Sequence, residues 1–192
     1  MLIGAGLLAS QTKQYALKDY LRVIPSIHIG TPLGVGPGHS RFSGKAGNFF
    51  TLYAARNLAT AISETVIRDR FEGVADRRLF IEEFQDRVVV QLRTILPLQL
   101  VDLRKGGCLK LGISTEIAGA KGFDEAQQFS QFLHDHSNVD GILYASRLTG
   151  ENCVAIFNRA IPSRLSDIRT VPLVQLKNLL TALASLQVQL IR

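Results

Sequence analysis

The first third of this 192-residue chain sets one carboxylate against a run of cationic side chains. Between Asp19 and Glu64 there is no acidic residue, yet Arg22, Arg41, Lys45 and Arg56 all fall there. The local potential of such a segment favours an anion, and Glu64 closes it. The whole chain carries 22 Lys+Arg against 16 Asp+Glu, a formal +6. Six bases (Lys13, Lys18, Arg22, Arg41, Lys45, Arg56) and one acid (Asp19) precede Leu58, so nearly all of that excess lies at the N-terminal end. A short acid-free stretch is equally compatible with bases that only solvate a surface.

The elements that must hold these groups follow from local chemistry. Gly30, Gly34, Gly36, Gly38, Gly44 and Gly47, with Pro32 and Pro37, exclude a regular element and predict an irregular loop around Arg41. Asn57 is a competent cap, and Leu58, Ala61, Ile62, Thr65 and Val66 follow at helical spacing. They predict a helix from Asn57 to about Arg70 that carries Glu64. Val88-Val89-Val90, Leu98 to Val101 and Gly141 to Tyr144 have strand character. Cys153 to Phe157 is expected to pair with the strand before Ser146 through a turn at Leu148-Thr149-Gly150. Phe123 to His136 reads as a helix, with Ala126, Phe129 and Leu133 on one face. Leu176, Leu179, Leu180, Leu183, Leu186 and Leu190 predict a leucine-rich helix over about 173–192. Its apolar face must be covered by its own core, by a second copy in a homodimer, or by a partner. No repeat or linker divides the chain, and the alternation of elements predicts a single α+β domain, a mixed or antiparallel β core flanked by helices.

Several chemistries are excluded. Gly34-Val35-Gly36-Pro37-Gly38 neither follows a convincing strand nor opens a helix, so it is no dinucleotide fingerprint. Gly38 and Gly44-Lys45-Ala46 are one residue too far apart for a phosphate loop and lack its Ser or Thr. No G-x-S-x-G elbow occurs. His134 and His136 flank Asp135 without the cysteines or carboxylates of a zinc site, so no metal is expected. Cys108 and Cys153 form no CxxC and are read as packing residues in a reducing cytoplasm. The apolar opening Met1 to Ser10 lacks a basic leader and is far shorter than the ~20 residues needed to cross a bilayer, so neither export nor a membrane location is expected.

Three ordered segments carry a family likeness: His39-Ser40-Arg41-Phe42-Ser43-Gly44, then Leu52-Tyr53-Ala54-Ala55 running to Ala61-Ile62-Ser63-Glu64, then Gly141-Ile142-Leu143-Tyr144-Ala145-Ser146-Arg147. The series resembles the RES domain, named after its Arg, Glu and Ser, from about Tyr20 through Phe157. The resemblance implies a fold similar to ADP-ribosyltransferases and a toxin that consumes NAD as substrate, with no bound cofactor and phosphate as a conceivable co-substrate. It also implies an Xre-type helix-turn-helix antitoxin through which any DNA contact is made. Arg41, Glu64 and Ser146 inherit the named positions, Arg22 and Tyr53 supporting ones, and Arg147 stands beside them. Ser40 and Ser43-Gly44 depart from the family pattern, which has a glycine before the arginine and Asn-Pro-like residues after the aromatic.

Nicotinamide leaves NAD as a neutral molecule, so the ribose carbon left behind gains oxocarbenium character and calls for negative charge beside it. Glu64 could supply that charge and accept a hydrogen bond from a ribose hydroxyl; alternatively it pairs with Arg68 at i, i+4 on an exposed helix face. Arg41, with Arg22 as a second contact, could grip the diphosphate through its planar fork, or both could simply be solvated. Tyr53 could stack on a substrate ring or pack with its hydroxyl satisfied. Ser146 could hydrogen-bond the nicotinamide amide or its ribose, or only shape a turn. Hydrolysis or phosphorolysis of NAD is thus the leading expectation, transfer of ADP-ribose to a protein the second, and a non-catalytic polyanion-binding module the third.

Overall fold

The computed structural model describes residues 3–45 and 47–191. Met1 and Leu2 of the apolar opening, Ala46 of the glycine-lysine segment and Arg192 of the tail lie outside the described residues. Among the described residues there are ten strands: β1 (Thr12–Tyr15), β2 (Tyr20–Pro25), β3 (Thr51–Ala55), β4 (Arg78–Phe80), β5 (Arg87–Thr94), β6 (Leu98–Asp102), β7 (Gly141–Ala145), β8 (Asn152–Phe157), β9 (Leu165–Pro172) and β10 (Gln189–Ile191). The helices are α1 (Ala5–Gln11), α2 (Leu58–Ile62), α3 (Glu82–Gln85), α4 (Gly107–Leu111), α5 (Glu116–Gly119), α6 (Asp124–His136), α7 (Ile161–Arg164) and α8 (Leu179–Ser185).

Eight strands join in the order β1-β6-β7-β8-β3-β2-β5-β9, while β10 and β4 form a separate parallel pair. Among the described residues only β6 and β7 run parallel within the large sheet. The sheet has two parts, because β2 and β3 share a single paired position, Leu21 opposite Ala55. Beyond it the two strands diverge.

Alternation along the strands sorts the core into two layers. Val88, Val90, Leu92, Leu100, Leu143, Val154 and Ile156 face inward between the two parts of the curled sheet. Their neighbours Val89, Val101, Ile142, Tyr144, Cys153, Ala155 and Phe157 face the helices, where α2, α6 and α8 bury Leu58, Phe129 and Leu183. The expected α+β class and the hairpin of β7 with β8 are both present, with Tyr144 opposite Cys153.

Two helical expectations need correction. After Asn57 caps α2 by accepting from the Thr60 amide, the α-helix ends at Ile62 and Ser63–Ile67 form a π-turn. The Arg68 amide then closes on the Ser63 carbonyl at 2.7 Å, and Arg68 has φ 48°. The tail is not one helix either. A 3-10 turn at Leu173–Gln175 leads to α8, the chain reverses at Gln187 with φ 55°, and β10 follows. Leu179 and Leu183 are buried one turn apart on the core, which covers most of the apolar face, while Leu180 stays 65% exposed. Among the described residues no helix is long and apolar enough to cross a membrane.

Candidate active site

Where β2 and β3 part, a cleft of about 600 Å³ opens on the helix side of the sheet. Its walls include Arg22, Arg41, Tyr53, Glu64, Tyr144 and Arg147, and its floor includes Ala55 and Cys153. Five of the six residues singled out from the sequence therefore share one cavity. Ser146 is the exception: it is buried behind the wall and reaches the cleft only through Glu64.

The position of Glu64 is set by two local features. The π-turn inserts an extra residue into the helix, which aims the carboxylate away from Arg68; the Arg68 Nε donates instead to the Glu64 backbone carbonyl at 3.3 Å. The i, i+4 ion pair is therefore absent. Ser146 donates its hydroxyl proton to Glu64 Oε1 at 2.6 Å, and accepts the amides of Leu148 and Thr149 at 3.1 and 3.2 Å. That leaves Oε2 of Glu64 without a hydrogen-bond partner among the described residues. A further link ties α2 to the same turn, since the Thr60 and Thr149 hydroxyls lie 2.9 Å apart.

Arg41 occupies the opposite wall. Its guanidinium lies over the Phe123 ring, 5.3 Å from the centroid, and its Nη1 is enclosed without a hydrogen-bond partner among the described residues. Burial holds its pKa below the usual arginine value, an effect that Tyr144 and Glu64 oppose and Arg147 reinforces. An enclosed cation with a free donor is a site waiting for an acceptor.

The other basic residues are differently employed. Arg22 turns its fork to the Pro32 and Gly34 carbonyls, each at 2.9 Å, and so ties the glycine-rich loop to β2. Burial lowers its pKa to about 10. Arg56 donates to the Lys18 carbonyl at 2.7 Å, and Lys45 stands 4.0 Å from Asp124. The acid-free stretch is thus no common basic face. Arg147 is ion-paired with Asp69 at the rim, and the arginine holds the Asp69 carboxyl below its ordinary pKa.

Tyr53 has its ring half-buried in the cleft wall, while its hydroxyl accepts the Phe42 amide at 2.8 Å and the Ser40 hydroxyl at 3.0 Å. Burial pushes its pKa up to about 12. Tyr144, which the sequence placed on a strand but did not single out, lies edge-on to Phe42 and lines the same wall. Its alternation with the buried Leu143 was the available signal. The Cys153 thiol is pushed up by burial, so it is no thiolate nucleophile.

Known proteins resemble this chain in sequence and in fold. The chain is 40% identical over 84 residues to the probable toxin y4kH of Sinorhizobium fredii (strain NBRC 101917 / NGR234), a match covering 43% of this chain and 65% of that relative's length. Its fold superposes on a chain of the M. tuberculosis MbcT–MbcA toxin–antitoxin complex with a TM-score of 0.61 at 15% identity, covering 88% of this chain and 93% of that one. This likeness is one of architecture. The RES domain profile matches residues 20–177, and on that match the chain belongs to the RES domain family.

Proposed function

We propose that this chain is the toxin of a toxin–antitoxin pair and that its cleft breaks the bond between nicotinamide and ribose in NAD. One observation carries the reading: a carboxylate fixed by a buried serine shares a cleft with an enclosed arginine that has a free donor. The name of the S. fredii relative and the toxin–antitoxin complex that contains the fold neighbour support the biological role.

The chemistry is dissociative. The bonding pair of the glycosidic bond departs with nicotinamide, which becomes neutral, and the ribose carbon becomes cationic. Glu64 supplies a full negative charge beside that carbon, and its free Oε2 accepts a hydrogen bond from a ribose hydroxyl. Arg41 donates from its unpartnered Nη1 to a diphosphate oxygen. Water then attacks the cation and loses a proton, giving ADP-ribose; phosphate in its place gives ADP-ribose 1-phosphate. The polyanion-binding alternative is weakened because Arg22 and Arg56 are committed to backbone carbonyls rather than spread over a free face.

An Xre-type antitoxin carrying the DNA-binding portion is the partner that the family membership suggests. The decisive experiment incubates purified protein with NAD, alone, with phosphate, and with cell extract, and follows nicotinamide. Release in the first two arms identifies water or phosphate as acceptor, and release confined to extract identifies a protein target. No release in any arm overturns the proposal.

A further inference from the structure

Most of the side chains that fix Arg41 come from outside its own loop. Phe123, the N-cap of α6, and Gln127, Ser130 and His134 on the helix recur at i, i+4, i+7 and i+11, so they form one stripe. That stripe faces Ser40, Arg41, Phe42, Ser43 and Phe49. Phe123 is the platform under the Arg41 guanidinium. Gln127, buried, donates its side-chain amide to the Ser40 carbonyl at 3.0 Å and to the Ser43 hydroxyl oxygen at 3.2 Å. Ser130, fully buried, donates to the Phe42 carbonyl at 2.8 Å. His134 stacks on Phe49, with ring centroids 4.2 Å apart.

Buried polar groups on a core-facing helix stripe are costly unless paired. Here each partner belongs to the two residues that flank Arg41 or to Ser43. The Ser43 hydroxyl also donates to the Ser40 carbonyl at 2.9 Å, and Tyr53 holds the Phe42 amide from the other side. The backbone on both sides of Arg41 is therefore pinned, and the guanidinium is presented at a fixed place before any ligand arrives. Gln127 is the side chain that contacts both Ser40 and Ser43.

We propose that Gln127 is a positioning residue for Arg41: its amide, acting through Ser40 and Ser43, fixes the arginine for diphosphate oxygens. This inference rests on the reading of Arg41 as the anion-binding group. It concerns ground-state binding of the diphosphate and not the Glu64 chemistry, so kcat and KM should separate.

Calorimetric titration of inorganic pyrophosphate into the folded protein tests it without reference to NAD turnover. Wild type should bind, and Gln127→Met, of similar length but without the amide, should bind at least about tenfold more weakly. Gln128→Leu, on the exposed side of the same helix, should bind like wild type. In an Arg41→Ala background, Gln127→Met should cost no further affinity, because positioning acts only through the arginine. If Gln127→Met does not fold, Ser43→Ala removes one acceptor of the same amide and should show the same coupling. Undiminished pyrophosphate binding in these variants, or an equal loss with and without Arg41, overturns the positioning role alone. Failure of wild type to bind pyrophosphate overturns the reading of Arg41 as well.

Discussion

Ser146 clasps Glu64 at 2.6 Å from behind the cleft wall, and the same hydroxyl oxygen collects two backbone amides of the turn that follows it. Its hydrogen-bonding capacity is consumed within the protein: one donor and two acceptor positions, all used. The serine therefore has nothing left to offer a substrate directly, and its influence passes through the carboxylate. This division of labour makes the two residues separable by experiment.

Glu64→Gln preserves size and an oxygen for the Ser146 hydroxyl but removes the charge. Nicotinamide release should fall by about 100- to 1000-fold, roughly 2.7–4 kcal/mol of barrier, the scale for a single preorganised electrostatic group. Thermal unfolding should be nearly unchanged. A variant that keeps more than a tenth of the turnover would remove Glu64 from the chemistry.

Ser146→Ala leaves the Leu148 and Thr149 amides without their acceptor and the carboxylate without its clasp. A stability loss of about 1–3 kcal/mol is expected in urea titration, the cost of orphaning buried polar groups. Turnover should fall less than in Glu64→Gln. Adding Ser146→Ala to Glu64→Gln should slow the reaction no further, whereas an additive loss would mean that the serine meets the substrate itself.

Tyr53 gives a pH signature. Its pKa is pushed from 10.0 up to about 12, chiefly by burial. The folded state thus favours the protonated phenol, which stabilises fully below pH 10 and ceases to do so as pH rises toward 12. The contribution lost across that window is about 3 kcal/mol at most. Urea titrations of wild type and Tyr53→Phe at stepped pH check it: their difference should shrink between pH 10 and 12. A constant difference would contradict the enclosed hydroxyl.

Arg22→Met removes the two bonds to Pro32 and Gly34. Amide hydrogen exchange over residues 30–38 should quicken by about tenfold or more, in line with the loss of hydrogen bonds worth ~1 kcal/mol each. The strands should keep their protection, and kcat should change little. Unaltered exchange in the loop would leave Arg22 free for some other partner.

The parts of the fold written in local chemistry were legible. Asn57 announced its helix because capping is a short-range bond, and the glycines between 30 and 47 excluded regular structure by backbone freedom alone. The β7–β8 hairpin was legible from its strand runs and short turn. The eight-residue β9, by contrast, carries Ser166, Asp167, Arg169 and Thr170 and ends at Pro172, so no apolar alternation marks it. It is an edge strand, held by pairing with β5 that only tertiary structure supplies. The π-turn at Glu64 was illegible for a similar reason, since the helical spacing of Thr65 and Val66 is compatible with either winding. Within the site, residue types left Glu64 and Arg41 open to bland readings and the ordered likeness to the RES domain singled them out, while the partners of Arg22 and Tyr53 and the Glu64 partner of Ser146 depend on contacts 10 to 82 residues apart in sequence. Gln127 was hidden because a glutamine on a helix ordinarily faces water.

The lone rung at Leu21 and Ala55 has one more implication. Past it, the sheet is an unfastened seam, and the width of that seam is governed by one ladder position together with the layer packed behind it. A guest lodged in the cleft would touch residues of both β2 and β3, which line it. Occupancy should therefore raise the melting temperature of the entire molecule, in step with the logarithm of ligand concentration over Kd, so that the empty protein is the looser of its two forms.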